Sequence, residues 1–358
     1  MINYIVRKIL YAFFVLWGVV TVVFFLFNVL PGDSSRMLMG QRTDLQSVEA
    51  IRAELGLNQP LTKRYLKYVD DLSLLSIYSK DANSFFAFSK EKYHKSFSLL
   101  ETENKIVVLK WPYLQRSFQS KKEVYQILSE TIFNTFLLAF VSIVFASFIG
   151  ILLGVLSAVY KDSILDKLIL LLTSLGMSVP SFFAAILIAW VFAFLLADYT
   201  HLNLTGNLYV LDDYGENVQI AWKNLILPAL TLGIRPLSVV LQLARNSMLD
   251  VLSQDYIRTA KAKGLSFYVI LKKHALKNAL NPVITAVSGW LASMMAGVVF
   301  VEYIFGWKGL GYVIVEGVNN YDIPVVMGVV LFISLFFVLI TLFVDLIYVL
   351  LDPRVKLQ

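Results

Sequence analysis

The chain contains no cysteine, which excludes a disulfide scaffold and a thiolate metal site. That absence also permits exposure to an oxidising compartment without mispairing. Histidine is almost as scarce: His94, His201 and His274 stand far apart, which argues against a histidine metal centre. Charge is thin as well. Asp, Glu, Lys and Arg make up 16% of the 358 residues and apolar side chains 58%, against about 25% and about 45–50% in an average soluble domain. Catalytic patterns are missing too. No Gly-x-x-x-x-Gly-Lys-Ser/Thr run occurs, so the chain cannot cradle ATP phosphates by that route. No His-Glu-x-x-His and no Ser/His/Asp cluster is present. The chain is therefore expected to be no enzyme and to bind no cofactor itself.

Length alone, at about 150 residues per soluble domain, would suggest two domains. The apolar residues instead fall in long blocks, and a spanning helix needs about 20 mostly apolar residues. Six blocks qualify: 9–30, 132–159, 168–196, 225–243, 283–301 and 325–351. The first is about twice as long as the apolar core of a secretory signal and lacks a small-residue cleavage site. It ends in Leu30-Pro31-Gly32-Asp33, a helix stop. A retained helix is expected. The fourth carries Arg235, at about 2.5–3.5 kcal/mol for a helix centre. Its eleven Leu, Ile and Val residues return about 0.3–0.6 kcal/mol each. With Pro228, Gly233 and Pro236 also present, this helix is expected to be kinked and to lean on neighbours rather than face lipid.

Orientation follows from the short loops. With the N-terminus in the cytoplasm, thirteen Lys and Arg residues fall on that side. They are Arg7 and Lys8, Lys161 and Lys167, seven from Arg245 to Lys277, and Arg354 and Lys356. The two short outer loops hold only Lys223 and Lys308. This asymmetry places both ends inside. It also accounts for the net charge of +6 without nucleic acid. Residues 31–130 form a long outer segment without a spanning run. Short helices are expected at 44–55 and 61–78, and a short strand at 106–109. His94 reads as solvated.

The loop between the fourth and fifth blocks is the most informative stretch. Asp255-Tyr256-Ile257-Arg258-Thr259-Ala260-Lys261-Ala262-Lys263-Gly264-Leu265 reads as a short helix hinged at Gly264. A second helical run at 266–280 places Phe267, Ile270, Leu271 and Ala275 on one face, with Lys272 pointing away. Such a hairpin could dock in a groove of a soluble partner, with Ala260, Ala262 and Gly264 allowing close approach and the basic rim steering an acidic surface. It could equally lie on anionic lipid headgroups. The pattern leaves both readings open.

This loop resembles the cytoplasmic coupling loop of ABC-importer permeases, in the oligopeptide/dipeptide/nickel branch. The family pattern is Glu-Ala-Ala, three residues, then Gly. Arg258-Thr259-Ala260 and Gly264 occupy those positions, lacking the Glu as that branch does. His274-Ala275-Leu276-Lys277-Asn278-Ala279-Leu280 resembles its continuation. Other stretches resemble the family in the same order along the chain. They are Leu55-Gly56-Leu57, Arg116-Ser117-Phe118, Ser178-Val179-Pro180-Ser181-Phe182 and Leu227-Pro228-Ala229-Leu230-Thr231-Leu232-Gly233. Phe305-Gly306-Trp307-Lys308-Gly309-Leu310-Gly311, Tyr321-Asp322-Ile323-Pro324 and Leu351-Asp352-Pro353-Arg354 complete the set.

The resemblance implies an all-α integral membrane protein of a bacterial inner membrane. It would have six transmembrane helices in the type I ABC-importer permease fold and an extracytoplasmic insertion between helices 1 and 2. Helix 1 would occupy 1–30, the outer segment 31–130 with a family-atypical insertion at about 70–112, and the core 131–351. The core contains the coupling loop 247–281, and 352–358 form a cytoplasmic tail. The implied partners are a second homologous permease, two ATPase subunits carrying ATP and Mg, an extracytoplasmic solute-binding protein and the lipid bilayer. The implied cargo is peptide or a similar small solute. The implied coupling residues are Asp255, Tyr256, Arg258, Thr259, Ala260, Lys261, Ala262, Gly264 and Leu265. The pathway is expected to include Ser178, Pro180, Ser181, Arg235 and Ser293. Two other classes compete. An ion-coupled carrier would use ionisable residues in the spans, here Arg235 and Asp345, but no inverted repeat is visible. A membrane anchor would not need Gly- and Pro-bearing spans. Gly150 and Gly154 form a small-xxx-small pair, expected to serve tight helix packing.

Overall fold

A computed structural model describes residues 2–29, 58–81, 84–90, 92–93, 96–212 and 214–351. The helix expected at 44–55, the Leu30–Asp33 stop, His94 and the 352–358 tail lie outside these residues, as does the side chain of Asp345. The chain divides into two units. One comprises Ile2–Glu130 with Glu316–Leu335, and the other Thr131–Val315 with Phe336–Gln358.

In the first unit, helix α1 (Ile2–Val29) carries an apolar stretch, Val6–Asn28, long enough to cross a membrane. Helix α2 (Leu61–Leu72) packs against its end. Val23 and Phe24 are buried with Tyr68, Met327 and Leu331, Thr21 and Tyr65 share a hydroxyl hydrogen bond at 2.7 Å, and Arg64 donates to Asn28. Strand β1 (Leu75–Ser79) follows within two residues, so the helix expected over 61–78 stops at Leu72. The alternation Leu75-out, Ser76-in, Ile77-out, Tyr78-in is the strand period, and it overrides the helical reading there. Strands β2 (Ser96–Glu101) and β3 (Lys105–Lys110) complete an antiparallel sheet ordered β1-β3-β2. The strand expected at 106–109 lies within β3. This sheet corrects the all-α expectation.

One face of the sheet packs Tyr78, Ile106 and Val108 with Tyr93. Lys110 also points inward and donates to the carbonyls of Asp70, Asp71 and Ser73 at 2.9, 2.7 and 2.9 Å. These are carbonyls at the C-terminal end of α2, which an ammonium satisfies well. The Asp71 carboxylate accepts from Lys92 at 2.9 Å and from the Tyr93 hydroxyl. In the same unit Asp322, just ahead of α12 (Ile323–Leu351), accepts from the Ser117 hydroxyl and from the Phe118 amide at 2.9 Å. Two motifs about 200 residues apart therefore meet at one carboxylate.

In the second unit, α3 (Val124–Val159, from Thr131 onward) packs closely on α6 (Lys223–Leu252). A Cβ on Gly154 would sit 2.6 Å from the Leu241 carbonyl oxygen, so the Gly150/Gly154 pair does serve close helix packing. Helix α6 runs unbroken through Pro228 and Pro236. Its apolar window is 67% buried, against 11% for α1, so it leans on protein as its sequence demands.

The third block is not one straight helix. Helices α4 (Ile164–Ser178) and α5 (Ser181–Trp190, extended by a π turn over Val191–Leu195) meet at a bend of 113°. The physical cause is Pro180: it lacks an N–H and drives Val179 to an extended ψ of 126°. A two-stranded hairpin, β4 (Tyr209–Leu211) and β5 (Val218–Ile220), follows and was not foreseen. After α6 come α7 (Asp255–Ala262) and α8, the latter built from Phe267–Val269, a π turn Ile270–Ala275, and Leu276–Ala279. The fifth block is divided at Val298 into α9 (Asn281–Gly297) and α10 (Val299–Phe305). Helix α11 (Leu310–Asn319) precedes α12. Among the described residues, four helices (α1, α3, α6 and α12) are long and apolar enough to cross a membrane, or five spans if α4/α5 counts as one.

Candidate functional site

Only Ser253 and Gln254 separate α7 from α6. The end of α7 is closed by two backbone hydrogen bonds, Gly264 N–H to Lys261 at 3.0 Å and Leu265 N–H to Ala260 at 3.3 Å. That pair is the Schellman arrangement, and it places Gly264 at φ +76°, which glycine adopts without a Cβ penalty. The chain then reverses into α8, and the Asn278 amide donates to the Tyr256 hydroxyl at 2.9 Å across the hairpin.

The hairpin has its own core. Ile257 and Ala260 of α7 and Ile270, Ala275 and Ala279 of α8 are buried together with Met248 of α6 and Ala158 of α3. Two expectations change here. Ala260 faces this core, so its smallness serves packing within the hairpin rather than approach of a partner. Phe267 is 47% exposed and does not join the buried face of Ile270 and Ala275, two residues that the intervening π turn sets on one side at a spacing of five. The outward ridge carries Asp255, Tyr256, Arg258, Thr259, Lys261, Ala262, Lys263, Gly264, Leu265, Phe267 and Tyr268, all exposed. Eight of the nine predicted coupling residues are thus brought onto one exposed ridge. It mixes the basic Arg258, Lys261 and Lys263 with exposed Tyr256, Leu265, Phe267 and Tyr268.

The residues expected along a pathway are less gathered. Ser178, Pro180 and Ser181 share the α4/α5 bend, and the Ser178 hydroxyl returns to the Ser174 carbonyl at 2.8 Å. Arg235 on α6 and Ser293 on α9 are exposed on their own helices. No group of three His, Cys, Asp or Glu residues able to hold a metal occurs among the described residues.

Two polar centres escaped sequence reasoning. Glu302 on α10 is fully buried. It accepts from the Thr135 hydroxyl at 2.7 Å and from the Gly311 and Tyr312 amides at 2.7 and 3.1 Å, capping α11. A Cβ on Gly309 would lie 2.2 Å from its Oε1, which explains the glycine-rich Phe305–Gly311 motif. The second centre joins Ser157, Asp166 and Arg245. The available signal for both was a lone acid at the edge of an apolar run, which must find donors when buried.

The long apolar helices, with prolines inside or between them, mark an integral membrane protein. The chain belongs to the family described as "Binding-protein-dependent transport system inner membrane component", whose model matches residues 150–357. A companion model for the N-terminal part of such membrane components matches residues 1–84. It is therefore a helical inner-membrane permease component of an ABC importer in the peptide family, and not a catalytic subunit.

Similar curated proteins include the dipeptide transport system permease protein DppB of Alkalihalophilus pseudofirmus, 32% identical over 99% of this chain and 100% of that protein. The glutathione transport system permease protein GsiC of Escherichia coli K12 is 30% identical over 99% of each chain. The probable D,D-dipeptide transport system permease protein DdpB of the same strain is 33% identical over 94% of this chain and 93% of its own. Family membership displaces the ion-coupled carrier and the passive anchor.

Proposed function

We propose that this chain forms half of the membrane pathway of an ATP-driven importer of peptides or similar small solutes. It would pair with a second, homologous permease. The six-span type I arrangement is reached by counting α4/α5 as one span and α9/α10 as another, beside α1, α3, α6 and α12. Both chain ends face the cytoplasm, as the distribution of Lys and Arg supports. Two ATPase subunits, carrying ATP and Mg, sit below, and a solute-binding protein delivers cargo from outside. The names of the relatives above support a peptide-like cargo.

One observation carries this reading: the exposed ridge from Asp255 to Leu265 stands on a buried core shared with α6 and α3. A knob on a rigid base can take up a push, whereas a loose basic loop cannot. Closure of the ATPases on ATP would move the ridge and switch the pathway between inward- and outward-facing states.

The test is the complete complex in liposomes, comparing wild type with Gly264→Trp. Among the described residues, no atom beyond its two chain neighbours lies within 4 Å of a Cβ placed at Gly264, so an indole there has room to project outward, at the cost of strain in the left-handed corner at φ +76°. Hydrolysis is expected to continue while solute uptake falls by about tenfold or more, the scale of a broken interface contact. Unchanged uptake per ATP in this variant removes the docking claim.

A further inference from the structure

We propose that Asp166 and Arg245 are positioning residues for coupling: their buried ion pair, shared with Ser157, makes the hairpin and the bent α4/α5 pair move as one body. The inference rests on the importer reading above and names the joint through which its push travels.

The geometry is that of an oriented clamp. Arg245 donates from Nε to Asp166 Oδ1 and from Nη2 to Oδ2, both at 2.8 Å. The Ser157 hydroxyl donates to the same Oδ1, and Nε reaches the Ser157 oxygen at 3.1 Å. The Asp162 amide donates to Oδ2 at 3.0 Å, and the Asp166 amide itself donates to Ser163 at 3.2 Å. Ser157 is fully buried, Asp166 is 2% exposed, and the Arg245 side chain retains 14% exposure. Three elements are thereby tied: the end of α3, the turn into α4 with its first helical turn, and α6.

This clamp adjoins the hairpin core. Ser157 precedes Ala158, and Arg245 lies one turn before Met248; Ala158 and Met248 are the two residues of α3 and α6 buried in that core. A displacement of the ridge thus arrives first at Met248 and Ala158, and within one turn at the ion pair. From Asp166, helix α4 leads directly to the 113° bend at Pro180. Elsewhere α4 meets α6 where Gly176 lies against Ser238 and Ile234 and where Gln242 donates to Met177 Sδ at 3.4 Å, single-point contacts that do not fix an angle as a two-pronged pair does.

The choice of residues supports a role in orientation. A bidentate guanidinium–carboxylate pair fixes both distance and angle, which a single-point lysine contact does not. A buried ion pair also adds little stability over an apolar pair of equal volume, because both ions are stripped of water. Packing alone would have been served by leucines.

The experiment uses the assembled importer in liposomes, with solute uptake and ATP hydrolysis measured together. Asp166→Asn leaves Arg245 buried without a counter-charge. The double variant Asp166→Asn with Arg245→Gln removes that unpaired charge, while keeping polar side chains of similar size. In the double variant we expect assembly and hydrolysis near wild type, with uptake per ATP lower by about tenfold, within the range of coupling energies in buried ion-pair networks. Arg245→Lys, which keeps charge but not the fork, should show the same low ratio. A wild-type ratio in the double variant would show that the pair serves stability alone and would overturn the proposal. Wild-type liposomes that take up solute without hydrolysing ATP would instead refute the importer reading.

Discussion

At the scale of single residues, the chain uses buried charge as a fastener. Lys110 is the case outside the membrane. Loss of water on burial pushes its ammonium down to about 8 from the ordinary 10.5, against the opposing pull of the Asp71 and Asp70 carboxylates. A base whose folded pKa is lowered is penalised in its charged form. Below pH 8 the ammonium is charged in both folded and unfolded states and the full penalty applies. As pH rises from 8 toward 10, the folded state sheds the proton first and the sheet gains stability. Near pH 10 the trend should reverse, because burial holds Tyr68, Tyr78 and Tyr93 neutral in the folded state while unfolded tyrosines ionise. Hydrogen exchange of β3 amides in the full chain, corrected for intrinsic base catalysis, checks this. Protection rising between pH 8 and 10 is expected, and Lys110→Met should flatten that rise.

At the scale of elements, the family motifs turn out to be caps and close contacts. Glu302 accepts three hydrogen bonds and holds the start of α11 against α3. Glu302→Ala orphans the Gly311 and Tyr312 amides and should cost about 2–3 kcal/mol, whereas Glu302→Gln keeps one acceptor and should cost about 1 kcal/mol. Thermal unfolding in detergent distinguishes the two. What the sequence disclosed at this scale follows from what it encodes locally. Apolar blocks announce helices, so α1, α3, α6 and α12 were legible. The hairpin stop at Gly264 was legible because a left-handed corner favours glycine. The 113° bend at Pro180 was not, since a proline inside an apolar run can equally leave a helix nearly straight. Strand β1 was obscured because residues 61–72 set a helical period immediately before it, and β2 because its side chains show no in-and-out alternation. Asp166 and Arg245 are 79 positions apart, and nothing local to either indicates the other.

At the scale of the whole molecule, the missing cysteines become an experimental asset. A single cysteine placed at Lys261 should react with a membrane-impermeant maleimide only from the cytoplasmic side of inverted vesicles, and one at Lys105 only from the outer side of intact cells. The reverse result would invert the proposed topology and take the ATPase-docking role of the hairpin with it.

The bend in the third span constrains the molecule in a further way. Each arm, α4 alone or α5 with its π turn, has fifteen residues and rises about 22 Å, short of the roughly 30 Å of hydrocarbon. Counted as one span, as proposed above, the pair holds its corner at depth, where the last carbonyls of α4 have run out of helical donors. Oil offers those oxygens nothing. Wherever the assembled protein admits a column of water or a polar wall into the bilayer, that is where Val179 and Pro180 have to be.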